Sequence, residues 1–194
     1  RVTETTFAKI FFNDGEGNFK DSGQSIVSSG KIASGDIDGD NDKDLIINVD
    51  SRFSLSLAMN HTNNLQIYAN NGKGYFTLAG QISNGLYNYN PALTDIDGDK
   101  DMDLVFMTAS NSWGLNPKTM IYLNDGRGSF SEVKNTGIIA GSAYDFVIFD
   151  IDNDNYDDIV EAHYGDFVYS NYSSFHSKPI LFVNKNNGNG KFSV

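Results

Sequence analysis

The sequence predicts an all-β fold, a β-propeller of four-stranded antiparallel blades, with about three and a half blades in this chain. Three observations carry that expectation. An Asp-rich loop occurs three times, as DIDGDNDKD at Asp36–Asp44, DIDGDKDMD at Asp95–Asp103 and DIDNDNYDD at Asp150–Asp158. A glycine hairpin motif alternates with it, at Phe12–Phe19, Ala69–Phe76, Leu123–Phe130 and Asn186–Phe192. No stretch shows a 3.6-residue apolar period, whereas short runs of β-branched and aromatic residues flank each motif. The loops begin 59 and 55 residues apart, and the hairpin glycines Gly15, Gly72, Gly126 and Gly188 are 57, 54 and 62 residues apart. A unit near that length, with four strand-like pieces, describes one propeller blade. A sandwich would not require so regular an alternation.

The units follow in order. Residues 1–30 form a half blade around the first hairpin, where Asn-Asp-Gly supplies the positive φ of a tight turn and Phe19 starts the returning strand. In blade 31–84 the Asp loop runs into Leu45–Val49, and Leu65–Tyr68 leads to the second hairpin. Blade 85–138 repeats this with Leu104–Met107 and Met120–Leu123. Blade 139–194 has Tyr144–Phe149 before its loop, Ile159–Val160 after it, and Ile180–Val183 before the last hairpin. Four blades of this size would take roughly 228 residues, and propellers have at least four. The expectation is therefore a piece of a longer propeller, or a propeller whose other blades come from partner chains.

Five carboxylates within nine residues repel one another, so each loop calls for a counter-ion. Counted from the first Asp, carboxylates recur at positions 1, 3, 5 and 9. Position 7 is Asp42, Asp101 and Tyr156; a Tyr there leaves the backbone carbonyl as the common ligand. Hard oxygens in that number suit Ca²⁺ better than Mg²⁺, and no soft ligand favours zinc or copper. An EF-hand needs Gly at position 6 and Glu at position 12 between helices. Here position 6 is Asn41, Lys100 and Asn155, position 12 is Ile47, Phe106 and Glu161, and the flanks are β-like.

Fifteen of the 25 acidic residues lie in these loops, so the net charge of -11 is local. General affinity for nucleic acid or an anionic membrane is not expected. There is no cysteine, hence no disulfide scaffold, and no apolar run approaches the ~20 residues of a membrane helix.

The two alternating motifs together resemble FG-GAP (VCBS-type) repeats, found in integrin α-subunit propellers and in bacterial extracellular proteins. The resemblance implies a seven- or eight-bladed propeller with about three calcium ions in this chain, bound in the loops joining strands one and two. The ligands it implies are Asp36, Asp38, Asp40, Asp42 and Asp44; Asp95, Asp97, Asp99, Asp101 and Asp103; and Asp150, Asp152, Asp154, Tyr156 and Asp158. Lys100 departs from the Gly or Asn usual at its position. It is expected to strain the backbone there and to weaken the middle site.

Long segments between strands two and three, with the inter-blade linkers, are expected to open on the opposite face. Phe53, Tyr87, Tyr89, Trp113, Tyr164, Tyr169 and Tyr172 are the candidate ligand-binding residues there, since flat rings beside Asn and Ser suit a glycan or a protein. His61, His163 and His176 are scattered and pair with no nucleophile motif, so no catalysis is expected. The function expected is an extracellular or cell-surface calcium-binding module for adhesion or recognition. The alternative is an accessory or scaffold domain of a secreted polysaccharide-degrading enzyme.

Overall fold

A computed structural model describes residues 7–28, 30–50, 63–84, 86–109, 117–138, 143–163, 169–170, 173–174 and 180–193. Every regular element in it is a strand. β1 (Phe7–Asn13) and β2 (Phe19–Val27) form an antiparallel pair, here blade I. Blade II is the meander β3 (Ile32–Gly35), β4 (Asp44–Asp50), β5 (Asn63–Asn70) and β6 (Phe76–Ile82). Blade III is β7 (Tyr87–Thr94), β8 (Asp103–Ala109), β9 (Lys118–Asn124) and β10 (Phe130–Glu132). A single parallel bridge, Asn63 to Tyr87, joins blades II and III. Next come β11 (Ala143–Phe149), β12 (Asp158–His163), and a two-stranded pair β13 (Tyr169–Ser170) and β14 (Ser173–Ser174). β15 (Ile180–Asn186) and β16 (Phe192–Ser193) complete blade IV with β11 and β12. These antiparallel meanders are the blades of a propeller.

The registers show why the two motifs recur. Each Asp loop closes between a paired residue and its own ninth Asp: Gly35 with Asp44, Thr94 with Asp103, Phe149 with Asp158. Each hairpin closes between an Asn and a Phe: Asn13 with Phe19, Asn70 with Phe76, Asn124 with Phe130, Asn186 with Phe192. Loop and hairpin lie at the same end of a blade, because strands two and three are antiparallel.

Blade faces pack on one another. Ile46, Leu65, Ile67 and Ile82 of blade II meet Leu104, Phe106, Met120, Tyr122 and Phe130 of blade III. Val105, Ile121, Leu123 and Val133 of blade III meet Phe146, Ile148, Ile159 and Phe192 of blade IV. Ile47 and Val49 face back to Ile10 and Ile26 of blade I. Strand two of a blade is thus covered on both faces, which is why Leu45–Val49 and Leu104–Met107 are nearly unbroken apolar runs rather than alternating ones. Every residue of β8 is buried. The far face of blade IV differs: Val147, Phe149, Ile151 and Leu181 are exposed, Leu181 to 68%.

Candidate metal centre

Each Asp loop is wound around its first side chain. Asp36 accepts from the Gly39 and Asn41 amides at 2.9 and 3.0 Å, Asp95 from Gly98 and Lys100 at 2.8 and 3.0 Å, and Asp150 from Asn153 and Asn155 at 2.7 and 2.9 Å. This winding puts positions 4 and 6 at positive φ. Lys100 has φ 78°, a conformation that Asn41 and Asn155 tolerate better, so the expected strain at Lys100 is present. The position 5 carboxylates then accept from the position 7 amides: Asp40 from Asp42, Asp99 from Asp101, Asp154 from Tyr156, at 2.8, 2.9 and 2.9 Å.

The ninth Asp does a different job. Asp44, Asp103 and Asp158 are buried, and both oxygens of each accept backbone amides. One comes from position 2 of the loop: Ile37, Ile96 and Ile151 at 2.9, 2.8 and 3.0 Å. The other comes from the hairpin Asn of the same blade: Asn70, Asn124 and Asn186 at 2.8, 2.8 and 2.7 Å. The carboxylate latches loop to hairpin and keeps a second lone pair on each oxygen.

Position 7 faces the hairpin. A Cβ built on Gly72 would come within 2.6 Å of Asp42 Oδ2, one on Gly126 within 2.5 Å of Asp101 Oδ2, and one on Gly188 within 2.5 Å of Tyr156 Cζ. The first hairpin glycine is therefore the seat of the position 7 side chain, and Tyr fills that seat as Asp does.

Three carboxylates of each loop also converge. Oxygens of Asp36, Asp38 and Asp40 lie within 4.8 Å of one another, as do those of Asp95, Asp97 and Asp99, and those of Asp150, Asp152 and Asp158. All three clusters could hold a metal ion. Burial and then neighbouring carboxylates raise the Asp38 and Asp97 pKa values above the ordinary range. Burial pushes Asp103 to about 6 against its two amide bonds. A donor set of hard oxygens that oppose one another's charge fits a hard divalent cation.

Two features escaped the sequence reading. The hairpin Asn also links blades: the Asn124 carboxamide donates to the Ile37 carbonyl of blade II, and that of Asn186 to the Ile96 carbonyl of blade III, both at 2.7 Å. The clue was that all four hairpins open with Asn, although their second residue alternates between Asp and Asn. The other is a buried polar group between blades III and IV. Glu161 accepts from the Thr119 hydroxyl and, at 3.0 Å, from the Asn184 carboxamide; the His163 ring lies 3.3 Å away and edge-on to Phe182.

Of the aromatic candidates, Tyr87 and Tyr89 lie on one face of β7, half-buried, at the blade end opposite the Asp loops. Burial raises the Tyr89 phenol. Tyr169 lies in β13. Phe53, Trp113, Tyr164 and Tyr172 lie outside the described residues.

Residues 53–106 match the family model of the FG-GAP-like repeat, a span holding one hairpin and the second Asp loop. No curated protein is significantly similar to the chain.

Proposed function

We propose, for a chain that carries FG-GAP-like repeats, the role of an extracellular calcium-binding propeller module that recognises a glycan or a protein without catalysis of its own. The observation that carries the reading is a cluster of three converging carboxylates, always including positions 1 and 3, in the corresponding loop of three successive blades. In each loop the carboxylates at positions 1, 3, 5 and 9 and the carbonyl at position 7 would hold the ion. Bound calcium supplies positive charge that offsets the carboxylate repulsion. The protein's own part is to hold the oxygens: position 1 winds the loop, position 9 anchors it to the hairpin, and position 7 seats on the glycine.

Recognition belongs to the other end of the blades. Tyr87 and Tyr89 are there, and in the sequence Phe53, Trp113, Tyr164, Tyr169 and Tyr172 fall between strands two and three of their blades. The remaining partners are further blades, in the same chain or another.

Thermal unfolding with calcium and with chelator tests the calcium part. Ion at a hundred times its Kd adds about 2.7 kcal/mol per site. At ~2–4 °C per kcal/mol, Tm should rise by several degrees and fall back with chelator. An unchanged Tm at millimolar calcium would count against the reading. Glycan-array binding lost on Tyr89→Ala, with Tm unchanged, would support the recognition face; a matching loss of Tm would assign Tyr89 to packing.

A further inference from the structure

The three Asp loops share one main-chain course, and what distinguishes the third comes from outside it. The residue just before the hairpin Asn is Ala69 in blade II, Leu123 in blade III and Lys185 in blade IV. Lys185 Nζ lies 2.8 Å from Asp152 Oδ2, position 3 of the third loop. The corresponding carboxylates, Asp38 and Asp97, have no cationic partner among the described residues. Lys43 and Lys100 sit within their own loops, yet neither forms an ion pair with a loop carboxylate there. The cluster itself also differs: its oxygens come from positions 1, 3 and 9 in the third loop, and from positions 1, 3 and 5 in the first two.

We propose that Lys185 is a built-in counter-ion that makes the third loop the weak calcium site of the chain. The inference rests on the calcium reading above. A dication entering the third loop must take Asp152 from the ammonium and then remain near a positive charge. At about 5 Å, even at the dielectric constant of water, that repulsion is worth roughly a tenfold loss of affinity. The first two loops carry no such tether. They depend on the external ion for charge balance, while the third has part of that balance supplied by the chain.

Calcium titration of the full chain by calorimetry, with ion counting after gel filtration at buffered free calcium, tests this. The wild type should retain two ions at a concentration where Lys185→Leu and Lys185→Ala retain three; these are the residue types of blades III and II. Lys185→Arg should behave as the wild type. Adding Asp152→Asn to Lys185→Ala should remove the gained ion, which assigns it to the third loop. Circular dichroism of each variant confirms that it is folded. Three equal sites in the wild type, or an isotherm unchanged by Lys185→Ala, would overturn the proposal while leaving the calcium reading in place. Absence of binding in every variant would overturn the calcium reading itself.

Discussion

At the scale of single residues, the hairpin glycines do more than permit a turn. Gly126 has φ 71°, and a methyl group there would meet the Asp101 carboxylate at 2.5 Å. Gly126→Ala therefore carries two penalties, the left-handed conformation and the collision. The first is worth about 1–2 kcal/mol. We expect urea unfolding to show at least that loss, and Asp101→Ala in the same chain to recover the collision part only. Additive effects of the two substitutions would show that the side chains do not meet. Lys100 is the converse case. Without added divalent cation, Lys100→Gly should stabilise the protein by about 1 kcal/mol, because it relieves a left-handed Lys at an exposed turn. A fall in the urea midpoint would contradict the strain assigned to it.

At the scale of elements, the Asp loop and the hairpin are one device, and Asn124 is its joint. Its amide donates to Asp103, its side-chain oxygen accepts from Gly128 at 3.1 Å, and its carboxamide donates to Ile37. Asn124→Ala leaves the Ile37 carbonyl without that donor, at a cost of about 1–3 kcal/mol. Asn13→Ala, at an exposed hairpin whose Asn bonds the Gly15 amide, should cost less than half of that in the same chemical denaturation. Equal losses would reduce the joint to an ordinary turn cap. The strands and turns were legible in the sequence because their causes are local: positive φ at Asn-Gly, carboxylate crowding in the Asp loops, apolar runs on strands covered twice. The joint was not, since Asn124 and Ile37 are 87 residues apart and only packing brings them together. The same holds for Lys185 with Asp152, and for Glu161 with Thr119. Position 9 was expected among the ligands, but nothing in its spacing tells that both its oxygens also serve the backbone.

At the scale of the whole molecule, the interfaces between blades are the core. The faces turned toward a following blade bury Ile46 and Leu65 in blade II, and Val105 and Ile121 in blade III. On blade IV the corresponding face shows Val147, Phe149, Ile151 and Leu181 to solvent. Such a patch drives association when nothing covers it. Light scattering after size exclusion should show concentration-dependent association of this chain, reduced by Leu181→Lys without a loss of Tm. A monomer at all concentrations would mean that the patch is too small to act alone.

The carboxamide link between blades also sets a rule of succession. It runs one way, from a hairpin to the loop of the blade before it, so the two ends of the array are not equivalent. An Asp at the first hairpin position would still make the turn, but it would set a carboxylate against a carbonyl. Any blade that packs behind Ile151 in this manner is under the same rule: Asn is admitted and Asp refused, although the turn itself does not tell them apart.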